Sequence, residues 1–211
     1  MSMMIETFPV GCFQCNCTVL GCERTHEAII IDPGDDEDKI VKIIESKGLN
    51  VKYLVHTHAH LDHIGVAGPL KRKGYGSIFL HKDDEFLYEA LEDQAKLFGL
   101  FLPEKEPIDE HLEHQDELEF GDHLVKVIHS PGHTPGSCCF LIEEKNLLFS
   151  GDTLFQGSIG RTDLPGGDFD QIKDSIMNRI YTLEKDYTVV PGHGPNTSLG
   201  YESRKNPFVR L

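Results

Sequence analysis

A chain of 211 residues with a formal net charge of −15 is too acidic to track a phosphate backbone without a local basic patch, and its densest basic cluster is only Lys71-Arg72-Lys73. It has no run of about 18 apolar residues, so no transmembrane helix and no membrane partner are expected. Met1 to Glu6 lacks the basic-then-apolar order of a signal peptide, which points to a cytoplasmic protein with reduced thiols.

The chain opens as strands at Ile5 to Phe8, Cys17 to Gly21 and Ala28 to Ile31, then turns at Asp32-Pro33-Gly34-Asp35. Acidic residues Asp36, Glu37 and Asp38 open a helix with Ile40, Val41, Ile43 and Ile44 on one face, and Gly48 ends it. Lys52 to Val55 reads as a buried strand, and a helix is expected from about Asp62 to Lys73 with Lys71 to Lys73 at its C-terminal end. Ser77 to Leu80 is a further strand. Asp83 and Asp84 begin a helix carrying Phe86, Leu87, Ala90, Leu91 and Leu97. Phe98 to Asp116, with Pro103 and Pro107, reads as a long surface loop over the site.

Strands resume at Leu118-Phe120, Val125 to His129, Cys138 to Ile142 and Leu147 to Ser150. Asp168 or Asp170 starts a helix with Ile172, Ile176 and Ile180 inward, Tyr187 to Val190 is a strand, and Ser198 to Lys205 a short helix. No linker or repeat interrupts the chain. One layered domain over residues 1–211, with two mixed sheets face to face and helices on both outer faces, accommodates this order.

Chemistry concentrates in His58-Ala59-His60-Leu61-Asp62-His63, where four residues of six can bind a divalent metal. His58 and His60 share one face of extended chain beyond a strand end, while Asp62 and His63 follow where the chain turns. Such a bend aims one pair of ligands at one ion and the next pair at a neighbouring ion. Three later turns repeat the logic of buried strand, glycine and ligand: His133 in Ser130-Pro131-Gly132-His133-Thr134-Pro135-Gly136, Asp152 in Ser150-Gly151-Asp152-Thr153, and His193 in Pro191-Gly192-His193-Gly194. Cys12-Phe-Gln-Cys15-Asn-Cys17 has the spacing of a thiolate knuckle but no downstream CxxC partner, so buried or idle thiols are expected there.

The string H-x-H-x-D-H, followed by the GHTPG, GDT and PGHG motifs, resembles the metallo-β-lactamase superfamily from Asp32-Pro33-Gly34 to His193. Gly151-Asp152-Thr153-Leu154-Phe155 and Gly160-Arg161-Thr162-Asp163 look most like its glyoxalase II-like branch. The resemblance implies an α/β fold, the four-layer αββα sandwich. It also implies a dinuclear centre: His58, His60 and His133 hold one ion, Asp62, His63 and His193 the other, and Asp152 bridges them. Zinc is the first expectation for mixed imidazole and carboxylate ligands, with iron or manganese also suited. Asp32 resembles the buried aspartate that orients a metal histidine, and equally suits a turn cap.

By the same resemblance, a metal-bound hydroxide oriented by Asp62 hydrolyses a small-molecule thioester such as S-lactoylglutathione. Full-length glyoxalase II carries a C-terminal helical domain that helps to bind glutathione. Only Gly194 to Leu211 follows His193 here, so those contacts have no counterpart to carry over. Tyr201, Arg204 and Lys205 are candidate contacts to a substrate carboxylate or simply a solvated helix. Arg161 can contact substrate or pair with Asp163 or Asp168. The nearest alternative is a mononuclear iron persulfide dioxygenase using His58, His133 and Asp152; the Pro-Gly-His193-Gly-Pro ending looks more like a hydrolase. An electron-transfer flavodiiron protein would place a carboxylate at His60, and a non-catalytic module would be expected to have lost a ligand. A β-lactamase must protonate an amide leaving group, and a nuclease faces the opposing charge.

Overall fold

The structure is a computed structural model describing residues 2–100 and 102–211. The chain divides into two compact units. The first runs to Leu112 and also holds Glu119–Leu124; the second comprises Glu113–Leu118 and Val125–Leu211.

In the first unit, strands β1 (Met3–Val10), β2 (Cys15–Cys22), β3 (Glu27–Ile31), β4 (Asn50–Val55), β5 (Ser77–His81) and β6 (Glu110–Leu112) form a six-stranded sheet in that spatial order. The first three are antiparallel, and β3 to β6 run parallel. Parallel neighbours need crossovers, and helices supply them. They are α1 (Glu37–Lys47), α2 (Leu61–Ile64) with α3 (Ala67–Arg72), and α4 (Glu85–Glu89) with α5 (Leu91–Phe98). Ile40 and Ile44 of α1, Leu70 of α3 and Leu91 of α5 join Val19, Ile30, Leu54 and Ile78 in one buried cluster. Glu37 and Asp38 lie in the first turn of α1, and Gly48, at φ 60°, closes it.

Three expectations for this unit are corrected. The helix from Asp62 to Lys73 is two short helices, because the Val66 amide donates to the Pro33 carbonyl at 3.2 Å and a Cβ at Gly65 would crowd the Gly34 carbonyl. The helix beginning at Asp83 and Asp84 is a 3₁₀ turn, Lys82–Asp84, followed by α4 and α5, which meet at Ala90; Phe86 and Leu97 face solvent rather than the core. The segment from Phe98 to Asp116 is not wholly loop. Its β6 extends the sheet at the β5 edge, and Lys71 donates to the Pro107 carbonyl and to Asp109, both at 2.7 Å. The basic cluster thus ties this segment down: Arg72 pairs with Glu104 and Glu106, and Lys73 pairs with Glu37 of α1.

The second sheet contains β7 (Glu117–Phe120), β8 (His123–His129), β9 (Cys138–Ile142), β10 (Leu147–Gly151), β13 (Thr188–Pro191) and β14 (Thr197–Ser198), ordered β14-β13-β10-β9-β8-β7. A two-stranded ribbon, β11 (Leu154–Phe155) with β12 (Ser158–Ile159), follows β10. The β10–β13 pairing is parallel, and its crossover is α6 (Phe169–Ser175), continued as a π-type turn over Ile176–Ile180. Asp168 caps α6 by accepting the Gln171 amide at 2.9 Å, and Ile172, Ile176 and Ile180 are fully buried as expected. Helix α7 (Leu199–Lys205) is capped by Ser198 and anchored by Glu202, a buried carboxylate receiving Thr197 Oγ1, the Gly157 amide and Asn206 Nδ2. Two mixed sheets with flanking helices is the expected fold class. No helix among the described residues is long and apolar enough to cross a membrane.

Candidate metal centre

Each ligand-capable side chain follows the end of a strand: His58 after β4, His133 after β8, Asp152 after β10 and His193 after β13. Strand ends fix the backbone, and Gly132 and Gly151, at φ 134° and 49°, let the chain turn sharply beside His133 and Asp152.

In the first unit, Asp32 lies just past β3 and is buried. Its Oδ1 accepts the Thr57 amide at 2.7 Å, and its Oδ2 accepts Thr57 Oγ1 at 2.7 Å and His63 Nδ1 at 3.0 Å. Of the two readings open for Asp32, the carboxylate holding a histidine is the one its contacts match. With Nδ1 donating to a carboxylate, the His63 Nε2 lone pair is presented on the other side, 3.8 Å from Asp62 Oδ2. His58 Nε2 and His60 Nδ1 stand 3.0 Å apart. The Asp62 loop lies so close to Gly34 that a Cβ there would overlap the Asp62 carbonyl.

The loop's backbone is braced from behind. Asp84 Oδ2 accepts the Ala59 amide at 3.0 Å, Gln94 Oε1 accepts the Leu61 amide at 3.0 Å, and Gln94 Nε2 donates to the Ala59 carbonyl at 3.2 Å. Thr57, Asp84 and Gln94 are absent from the sequence-based site. Thr57 adjoins the motif and so was visible as a neighbour, whereas nothing local marks Gln94, 33 residues from its partner.

Cys12, Cys15 and Cys17 form no knuckle. Cys12 is exposed at the β1–β2 turn, while Cys15 and Cys17 are buried in β2. Burial pushes the Cys15 thiol up to about 12, so it stays protonated beside His63, at 3.5 Å. His56 is held neutral by burial, down to about 4, with Nδ1 3.0 Å from the Phe79 carbonyl.

In the second unit, His133 Nδ1 donates to the Arg161 carbonyl at 2.8 Å. A carbonyl only accepts, so the proton sits on Nδ1 and the Nε2 lone pair faces Asp152 Oδ2 at 3.6 Å. His193 Nε2 lies 3.7 Å from Asp152 Oδ1, so the carboxylate has an imidazole on each oxygen. The Gly192 amide donates to the Gly151 carbonyl at 2.8 Å, joining the β10 and β13 loops. A Cβ at Gly160 would overlap the Asp152 carbonyl. The Arg161 guanidinium makes two bonds to Asp163, at 2.7 and 2.8 Å, the pairing named among its alternatives. Tyr201, Arg204 and Lys205 lie on the exposed side of α7.

These donors fit a divalent metal. Nitrogen ligands about 2.0–2.1 Å from a tetrahedral ion sit roughly 3.3 Å from one another. The donor spacings of 3.0 Å in the first unit and 3.6 and 3.7 Å in the second are near that edge length. His63 and His133 each have Nδ1 fixed by an acceptor, the arrangement that orients a ligating imidazole.

The sequence matches the metallo-beta-lactamase superfamily over residues 10–193. It is 41% identical to hydroxyacylglutathione hydrolase GloC of Haemophilus influenzae, over 98% of both chains. The structure superposes on BLEG-1, a B3 metallo-beta-lactamase, with a TM-score of 0.89 and 36% identity, covering 98% of this chain and 99% of the other. It superposes on TTHA1623, solved in a di-iron-bound form, with a TM-score of 0.87 and 38% identity, covering 97% of this chain and 100% of the other. In motif order, donor geometry and fold, the chain belongs to the metallo-β-lactamase superfamily of metal-binding hydrolases.

Proposed function

We propose that this protein is a dinuclear metal-dependent thioesterase acting on S-lactoylglutathione or related hydroxyacyl thioesters. In this reading His58, His60 and His133 hold one ion, Asp62, His63 and His193 the second, and Asp152 both. The observation that carries it is the pairing of oriented imidazoles with carboxylates: His63 Nε2 against Asp62, and His133 and His193 against the two oxygens of Asp152. The identity with GloC supports the thioester as substrate class. Zinc suits the donor set, and the di-iron form of a relative supports iron as well.

Two divalent ions held by these residues would supply a water of lowered pKa and positive charge for the oxygen of the attacked carbonyl. The protein's part is positional. Asp62, partly exposed beside His63, accepts a hydrogen bond from the attacking water and keeps it in line. Asp32 and the Arg161 carbonyl hold His63 and His133 in their ligating tautomers. A thiol with a pKa of about 8.5 leaves without a proton donor, so the absence of a general acid from the motifs is consistent with a thioester.

The test combines elemental analysis with a thioester panel run with and without the glutathione carrier. About two equivalents of metal and metal-dependent thioester hydrolysis are expected. One equivalent of iron with oxygen uptake on a persulfide, and no thioesterase activity, overturns the proposal.

A further inference from the structure

Beside Asp62 the first unit contains a cavity of about 220 Å³. Its apolar wall is built by Phe13 from the β1–β2 turn, Leu61 and Val66 from the α2–α3 region, and Leu100 and Leu102 from the segment after α5, and carboxylates line the rest. The Phe13 ring packs edge-on against Phe98 at 5.2 Å, and Phe13, Phe98 and Leu102 remain 40%, 53% and 55% exposed. Large apolar groups held at a surface beside a concavity mark a place for an apolar ligand. Among the described residues, the charged lining ones are Asp35, Asp62 and Glu104, with no Lys, Arg or His. That excludes the carboxylates or phosphates of a thiol carrier on charge.

We propose that this cavity is the acyl subsite, taking the uncharged, apolar chain of the thioester while the carrier lies outside it. This rests on the thioesterase reading above, because Asp62 both lines the cavity and adjoins the metal donors. At roughly 30 Å³ per water-sized group, the cavity holds about seven non-hydrogen atoms, the size of a hexanoyl chain. The inference therefore extends the substrate class from lactoyl to longer, less polar acyl groups.

Cys12 supplies a direct probe. It lines the cavity and is exposed, whereas the other five cysteines are buried. The experiment measures kcat/KM for neutral N-acetylcysteamine thioesters from acetyl to hexanoyl. In parallel it follows the rate at which N-ethylmaleimide alkylates Cys12 in the presence of acetamide or hexanamide. Burying each added methylene should raise kcat/KM about fourfold, and hexanamide, not acetamide, should slow alkylation. Cys12→Trp and Leu102→Asp alter exposed side chains and leave the fold intact. Both should abolish the chain-length dependence. A flat chain-length profile with measurable hydrolysis overturns the acyl subsite and leaves the thioesterase reading standing. Absence of hydrolysis with every thioester overturns that reading instead. Alkylation then judges the cavity alone: protection by hexanamide upholds an apolar subsite, and equal rates with both amides dispose of it.

Discussion

Asp32 has a left-handed backbone, φ 52°, and its carboxylate receives Thr57 twice and His63 once. Substitution separates those two demands. Asparagine tolerates the left-handed region and keeps one acceptor, whereas alanine does neither. We expect Asp32→Ala to weaken metal binding by about 10–100-fold and Asp32→Asn by less, measured by competition with a chromogenic chelator. Equal, small effects would show that His63 needs no such support. Cys139 gives a second prediction at this scale. Burial pushes its thiol up to about 11, while Ser130 and Thr153 draw it partly back. An acid whose folded pKa is raised contributes stability in full below its unfolded value of 9.0 and loses it as pH climbs to about 11. Two pH units amount to roughly 3 kcal/mol. Denaturant melts should show that alkaline fall, to which the buried Cys15 and Cys17 thiols also contribute, and Cys139→Ala should make it shallower whatever the variant's absolute stability.

The turn after β3 and the start of α2 interlock without side chains. Gly34 meets the Asp62 carbonyl, and Gly65 meets the Gly34 carbonyl. Gly34→Ala must displace the Asp62 loop, so, if that loop ligates metal as proposed, it should lower metal content and melting temperature together. Gly48→Ala, at φ 60° with open space around it, should cost only about 1 kcal/mol and leave metal content unchanged. Helix α5 acts on the same loop through Gln94. Gln94→Ala should weaken metal retention under chelator challenge while circular dichroism stays native. The sequence announced where the ligand-capable side chains follow strand ends, because strand, glycine and side chain are consecutive residues. It concealed the α2–α3 break, because the Val66 amide turns to Pro33, 33 positions earlier. Strand β6 escaped notice for a related reason. Three residues give too short a period to read, and Glu110 to Leu112 is a strand only through its pairing with Phe79 to His81. Asp32 could be read in advance as the acceptor of a histidine, whereas the Arg161 backbone carbonyl, 28 residues from His133, could not, because a backbone acceptor leaves no mark on residue type.

At the scale of the molecule, the order of the four motifs was enough to name the fold class, since each motif fixes a strand end. If the proposed residues bind metal in the folded state only, metal should act as a stabilising ligand. Free metal at about 1,000 times its dissociation constant adds about 4 kcal/mol, which is worth roughly 8–16 °C in a chain of this size. Scanning calorimetry before and after chelation should show that drop, and an unchanged melting temperature would contradict ligation in the folded state. The net charge of −15 predicts no retardation of duplex DNA at physiological salt in a gel-shift titration.

The hairpin formed by β7 and β8 has a tip, Glu119–Leu124, that belongs with the first unit although its base belongs with the second. Asp122 pairs with Arg24, the Gly121 amide with Glu27 at 2.6 Å, and the Glu119 carbonyl with Lys52 at 3.1 Å. A ribosome delivers these partners late. When Leu112 emerges, Arg24, Glu27 and Lys52 still lack them, and six residues of the second unit, Glu113–Leu118, must come out before the tip does. The nascent first unit is completed only after the second has begun, and a gene cut at Leu112 encodes neither unit whole.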